Sequence, residues 1–457
     1  MKSGAPRILL ISYHFPPSAA VGGQRMANFA ASLVSLGWNP YVLTIQDKDI
    51  EQVDAERLPD VRGVHIHKAA VLPTAAGILS FLVVWLRKLR SGRSRQPSAS
   101  KPAASWHPSA ATRETLVRRM RRYLFSFLLL PDFERGWICP AILAAIRVVR
   151  RHRIGWIVTS CPPYSVHLIG LAVKLLAGTR WVADFRDPWM TTGSKRLYPT
   201  CALSIRIESW LERKVMEKAD LVVFNVERLR NAYRARYVDV AADKFVFIPN
   251  GIRARATGTI PKYDTFTLSY TGALYVGRSP EPVFQALSRL IQKGTVAPQG
   301  VRIKLVGQCR TINGTPTSAV IRKYGLESVV DVQDSVPRNE ALEIVRRSHL
   351  ALLFAPNLPF QIPAKVYDYL GAGTRILAIA EDGGTADLVR DTDAGRTFSA
   401  EDVEGITAFI HDEMISRRSM NGSHAASLLR FDLRNITEEL VGHLDRIAAA
   451  TETGRAQ

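Results

Sequence analysis

At 457 residues, 47% hydrophobic and 22% charged, the chain exceeds one ordinary domain and has globular composition, which excludes wholesale disorder, collagen and repeat architectures. Its four cysteines, Cys139, Cys161, Cys201 and Cys309, lie far apart without a CxxC pair, so neither a disulfide framework nor a cysteine zinc site is signalled. The net charge of +20 is concentrated: residues 1–85 carry 7 basic and 6 acidic side chains, residues 86–155 carry 16 and 3, and residues 156–457 carry 38 and 32.

In chain order, short aliphatic runs alternate with longer helical patterns, the sign of parallel sheets built from βαβ units. Strands are expected at 7–12, 39–44, 64–68, 155–160, 181–185, 221–225 and 245–248. After a Pro249-Asn250-Gly251 turn, further strands follow at 266–271, 301–306, 329–332, 350–354 and 375–380. A helix over 24–36 places Met26, Phe29, Ala30, Leu33 and Leu36 on one face before Gly37. The expected organisation is an N-terminal domain over 1–252 with a basic insert near 70–135, a second domain over 264–430, and a C-terminal helix over 431–457 that packs back on the first.

The insert places apolar clusters, 78–86 and 123–130, beside cation clusters such as Arg118, Arg119, Arg121 and Arg122. That combination suits either an anionic membrane surface or a buried helix pair with a solvated basic edge. Sparse aromatics among the arginines and the lack of a nucleic-acid motif argue against nucleic acid. The first apolar run, 8–11, is too short for a signal peptide, and 78–86 is too short to span a bilayer. A cytoplasmic protein held at the membrane periphery is therefore expected.

Gly22 and Gly23, in the turn after the first strand, leave backbone open to a phosphate or simply make a tight turn. Their spacing is not GxGxxG, and no acidic residue closes the second strand, so dinucleotide binding is disfavoured. Pro363 suits a helix start, where the amides near Ala364 and Lys365 face an anion and the Lys365 ammonium adds charge. Asp368, one turn on, is placed to accept from a ligand's hydroxyls, the alternative being a surface ion pair with Lys365. Gly383-Gly384-Thr385 forms either another anion-facing helix start or a structural turn. Asp184, Arg186 and Asp187 end a strand, where open α/β sheets bind ligands. Either they meet an incoming acceptor, or at least one carboxylate is tied in an Asp-Arg ion pair. His167 either contacts a ligand or is packed.

The residues Ile8 to Pro17 with Gly22-Gly23, Ser160-Cys-Pro-Pro163, Asp184-Phe-Arg-Asp187-Pro-Trp189 and Ile248-Pro-Asn-Gly251 resemble, in order, the acceptor-side half of family 4 retaining glycosyltransferases. Tyr270-Thr-Gly272, Val306-Gly307 and Ile362-Pro-Ala-Lys365-Val-Tyr-Asp368 to Gly373 resemble the nucleotide-sugar half of the bacterial polysaccharide or lipid-linked sugar type. The resemblance implies two Rossmann-like domains facing each other across a cleft, the GT-B fold. It also implies transfer of a sugar from a nucleotide-sugar to a lipid-linked or polysaccharide acceptor with retention of configuration.

In that frame Arg278 and Lys365 are the catalytic cations on the diphosphate. Gly22, Gly23, Gly272, Pro363, Ala364, Asp368, Gly384 and Thr385 complete the donor side, and Asp184, Arg186, Asp187 and His167 lie on the acceptor side. No metal or other cofactor is expected. Phe360 stands where the family's E-x7-E motif begins with Glu, and Asp368 replaces its closing Glu. A sugar-nucleotide epimerase of the same fold and a non-catalytic polyanion binder are the alternatives.

Overall fold

The computed structural model describes residues 5–54, 57–58, 61–74, 123–124, 126–190, 201–253, 258, 260–275, 277–416 and 428–456. Most of the basic insert, including its arginine cluster at 118–122, lies outside them. Two compact units divide the chain: the first comprises 1–225, 229–248 and 440–457, the second 226–228 and 249–439.

The first unit is built on seven parallel strands: β1 (Arg7–Ile11), β2 (Asn39–Ile45), β3 (His65–Ala69), β4 (Trp156–Cys161), β5 (Arg180–Phe185), β6 (Leu221–Phe224) and β7 (Phe245–Phe247). Their spatial order is β3-β2-β1-β4-β5-β6-β7, so the direction of winding reverses between β1 and β4. Strands β1 and β4 are buried on both faces, which accounts for their unbroken apolar runs. Helix α1 (Gln24–Ser35) follows β1; α2 (Ile138–His152) precedes β4; and α3 (Ser165–Ala177), α4 (Ala202–Lys218) and α5 (Glu227–Arg236) follow β4, β5 and β6. Gly178, in the left-handed region at φ 69°, ends α3 as an αL cap.

The second unit repeats the plan with β8 (Phe266–Thr271), β9 (Val301–Val306), a small antiparallel pair β10 (Thr311–Ile312) and β11 (Thr315–Pro316), then β12 (Val330–Gln333), β13 (Leu350–Ala355), β14 (Arg375–Ala380) and β15 (Gly395–Phe398). Its six parallel strands run β12-β9-β8-β13-β14-β15, with the reversal between β8 and β13. The helices are α6 (Glu281–Gln292), α7 (Thr317–Lys323), α8 (Arg338–Arg347), α9 (Lys365–Ala372), α10 (Gly384–Asp391) and α11 (Val403–Ser416); α12 (Leu433–Ala456) starts in this unit, and its residues from 440 on belong to the first. One apolar layer gathers Leu268, Phe284, Leu287, Leu305, Leu352 and Phe354; the opposite layer gathers Val366, Leu370, Ile376 and Phe431.

The expected α/β class with two doubly wound parallel sheets is the one observed. Strand β15 and the β10-β11 hairpin were not expected. In doubly wound sheets ligands bind beyond the carboxyl ends of the strands, where the winding reverses, so each unit has one such position.

Candidate functional site

In the first unit the reversal is lined by the turn after β1 and the turn after β4. The first runs through a cis Pro16–Pro17 bond into a single 3₁₀ turn, Val21–Gly23, and then α1. A Cβ at Gly23 would stand 2.9 Å from the His14 carbonyl oxygen, and one at Gly22 3.0 Å from Arg186 Nη1. The paired glycines therefore let the turn close on His14 and on the Arg186 guanidinium. The second turn holds two cis bonds, Cys161–Pro162 and Pro162–Pro163. Arg186 binds it, donating from Nε to the Cys161 carbonyl (2.9 Å) and from Nη2 to the Pro162 carbonyl (2.5 Å).

Asp184 sits lower, 1% exposed. Arg25 Nε donates to its Oδ1 at 3.0 Å and the Ser160 hydroxyl to its Oδ2 at 2.6 Å, while Arg25 Nη2 reaches the Ile248 carbonyl at 2.8 Å. Both carboxylate oxygens are taken inside the protein. This is the structural Asp-Arg pair, made with Arg25 rather than Arg186, and the geometry corrects the reading of Asp184 as an acceptor contact. His167 is likewise enclosed: Nδ1 lies 2.8 Å from the Thr159 hydroxyl, and Phe185 stacks on the ring at 4.4 Å. Burial, helped by the charge of Arg186, lowers its pKa to about 3, so the imidazole is neutral and packed, which corrects its placement against a sugar. Arg186 and Asp187 remain half-buried at the rim. Their loop is pinned from below, where the Tyr164 hydroxyl donates to the Pro188 carbonyl (2.7 Å) and the Trp189 indole to Glu208 Oε2 (2.9 Å).

In the second unit the reversal has the opposite electrostatics. Strands β8 and β9 end in Gly272 (φ 136°) and Gly307 (φ 119°), conformations that favour glycine. A Cβ at Gly307 would run into the Gly272 carbonyl, and one at Gly272 would collide with the Lys365 ammonium. The space so kept is filled by Lys365, whose Nζ lies 4.1 Å over the Tyr270 ring, buried and without a hydrogen-bond partner among the described residues. Burial, then the neighbouring Arg278, lower its pKa to about 8. Arg278 stacks on Tyr275 at 4.1 Å in a loop whose Gly277 amide donates to Asn313 Oδ1 of the hairpin. The aromatic contacts position both cations and leave their charge unneutralised.

Helix α9 begins at Lys365, with Ala364 as an N-cap that offers no side-chain bond. Pro363 thus stands just ahead of the helix rather than in its first turn, where its carbonyl and that of Ala364 accept from the Val366 and Tyr367 amides, and no side chain caps the start. Asp368 does not pair with Lys365; its Oδ1 accepts from Arg338 Nη2 at 2.6 Å. Burial raises its pKa against the pull of Arg338. Gly384 and Thr385 turn toward the preceding loop: the Gly384 amide donates to the Pro359 carbonyl and the Thr385 hydroxyl to the Gln361 carbonyl. They support the segment leading into Lys365, as a structural turn would.

Sequence reasoning missed Arg25 and Arg338. Arg25 had a signal, a lone cation on the apolar face of α1 with its guanidinium 4.8 Å over Phe29, one turn on. Arg338 had none, because only the fold brings α8 beside α9. Among the described residues no group of three or more His, Cys, Asp or Glu side chains is disposed to hold a metal ion.

Residues 103–255 match the family model for Glycosyltransferase Family 4. The match begins inside the basic stretch and ends with the first half, so the motifs of the second half lie beyond it. No curated protein matches the chain. Among solved structures the chain is similar to a glycosyltransferase from Rickettsia africae ESF-5 (TM-score 0.60, 11% identity, covering 97% of this chain and 99% of that one). It is also similar to sucrose-phosphate synthase from Thermosynechococcus elongatus (0.61, 15%, 97% and 100%) and to HepE from Anabaena in complex with UDP and glucose (0.60, 13%, 96% and 100%). At these identities the likeness establishes the fold.

Proposed function

From the premise that this chain carries a Glycosyltransferase Family 4 segment within a GT-B fold, we propose that it moves a sugar from a nucleoside-diphosphate donor to a lipid-linked or polysaccharide acceptor with retention of configuration. The observation that carries the donor half is the buried, unpartnered Lys365 ammonium beside Arg278, at the strand reversal of the second unit and at an uncapped helix start. A desolvated cation without a counter-charge is costly in an empty protein and is offset when an anion arrives. A diphosphate has the charge and the reach to meet Lys365 and Arg278 together at the positive end of α9.

Arg278 and Lys365 stabilise the negative charge that develops on the departing diphosphate, and that group takes the acceptor proton as the new bond forms on the same face of the sugar. Two fixed cations serve this role without a divalent metal. Arg338 holds Asp368 through Oδ1, leaving Oδ2 for a ribose hydroxyl. Arg186 and Asp187 remain as acceptor-side groups. The likeness to HepE, crystallised with UDP and glucose, makes UDP-sugars the first donors to try. Incubation with UDP-, GDP- and dTDP-sugars, followed by assay of released nucleotide and product anomer with and without chelator, tests the reading. Interconversion of the donor without an acceptor would instead indicate an epimerase, and inversion or strict metal dependence would refute the corresponding clause.

The basic insert supports a cytoplasmic, peripheral membrane location, where a lipid-linked acceptor is met. Replacing Arg118, Arg119, Arg121 and Arg122 by Glu checks this reading, since unchanged binding to anionic vesicles would contradict it.

A further inference from the structure

Helix α4 is inside out. Its inward face carries Ser204, Glu208 and Glu212 beside Val215 and Met216, all buried. Its outward face carries Leu203, 52% exposed, and Trp210, 57% exposed, with the half-buried Ile207 between them. Positions 203, 207, 210 and 214 fall at i, i+4, i+7 and i+11, so Leu203, Ile207, Trp210 and Lys214 form one stripe about 16 Å long. The inverted pattern has a local cause, because Glu208 receives the Trp189 indole N–H and must face inward to do so. Nothing comparable explains the outward leucine and tryptophan, which a helix facing only water would replace with polar residues.

We propose that this outward face of α4 docks on an anionic lipid surface. Charge complementarity selects that occupant: Arg206, Arg213, Lys214 and Lys218 flank the stripe, Glu208 and Glu212 are turned inward, and although Glu217 pairs with Arg213 and Lys214 and Asp239 pairs with Arg213, the four cations still outnumber these two carboxylates. An apolar stripe with tryptophan, bordered by cations, is the pattern of a helix lying in the headgroup region. The stripe is long enough to lie along a surface and too short to cross a bilayer, and among the described residues no helix is long and apolar enough to cross a membrane. The surface extends beyond α4. Tyr123 and Leu124 are 37% and 52% exposed, and the Ser126 hydroxyl donates to the Cys201 sulfur at the N-cap of α4, which ties that segment to the stripe's leading end. That end follows β5, whose carboxyl end also bears Arg186 and Asp187. A docked α4 therefore brings the acceptor-side groups toward the leaflet. The benefit to catalysis rests on the lipid-linked-acceptor reading, whereas the docking itself does not.

The test is co-sedimentation of the full chain with phosphatidylcholine vesicles with and without phosphatidylglycerol, for the intact protein and a Leu203→Glu/Trp210→Glu variant. Measurement at about 0.15 M and about 1 M salt separates the stripe from the insert's charge, since the Debye length falls from about 8 Å to about 3 Å. The intact protein should bind anionic vesicles and retain a weaker apolar component at high salt. The variant should lose at least tenfold in the first and all of the second, with an unchanged circular dichroism spectrum and thermal midpoint as proof of folding. Equal binding of both proteins would overturn the proposal. So would a loss accompanied by conversion of an oligomer to monomer without vesicles, which would mark the face as a protein interface. Normal vesicle binding without nucleotide release from any donor would strike the transferase reading and leave this one intact.

Discussion

The two units place the same topological feature in opposite electrostatic states. At the reversal between β1 and β4, Arg25 and Asp184 neutralise each other in the core, Arg186 is spent on two carbonyls, and His167 is held neutral. At the reversal between β8 and β13, Lys365 has an aromatic ring beneath it and, among the described residues, no hydrogen-bond acceptor, with a second cation nearby. An unpaired buried charge costs stability, and this asymmetry is what supports the proposed placing of the donor diphosphate in the second unit.

The largest expected effect comes from breaking the sealed side. Arg25→Ala strands the Asp184 carboxylate in the core, and urea unfolding of the variant should show a loss of about 3 to 5 kcal/mol. A loss under about 1 kcal/mol would mean that the pair is not the structural element described. Next is Glu212, buried in the same unit beside Tyr233, Tyr237 and Arg236, its carboxyl raised from 4.5 to about 7 by burial. Between those values the folded state keeps a proton that the unfolded chain has released, so stability falls as pH rises across the window and the full penalty applies above it. Glu212→Gln should flatten that slope and gain on the order of 2 to 3 kcal/mol at pH 8. An unchanged pH profile would show that Glu212 is solvated or already ionised. The open side should respond through binding instead of stability. With the free-state pKa of Lys365 at about 8, donor affinity should weaken as pH rises through that value, by roughly fivefold over the next unit above it. Flat affinity between pH 7 and 9 would remove the ammonium from the site.

Much of this fold is legible in the sequence because buried parallel strands are continuous apolar runs, and twelve of them, from β1 to β14, fall within a residue or so of the expected positions. Strand β15 escaped because Gly395-Arg396-Thr397-Phe398 is short and polar. Its glycine is there for backbone approach, since a Cβ would meet the Ile376 carbonyl. The β10-β11 hairpin did have a signal, Asn313-Gly314 with φ of 48° and 84°, the signature of a tight primed turn. Lys365, Asp368, Gly272 and Arg278 were found as members of ordered motifs. What each does was less legible, because partners come from distant segments. Asp368 meets Arg338, 30 residues away, and Asp184 meets Arg25, 159 residues away along the chain. Glycines mislead in the same way: Gly22 and Gly384 look like phosphate turns, yet what they approach is Arg186 and the Pro359 loop.

The central claim is that the cation pair of the second unit, and not the arginine at the matching place in the first, receives the donor diphosphate. Calorimetric titration of the intact protein, Lys365→Ala and Arg186→Ala with the nucleotide that the release assay selects compares the two directly. Loss of one charge-assisted contact costs about 1.5 to 3 kcal/mol, so Lys365→Ala should bind at least about tenfold more weakly while Arg186→Ala binds as the intact protein does. Equal affinity for Lys365→Ala, or a larger loss for Arg186→Ala, would contradict the account.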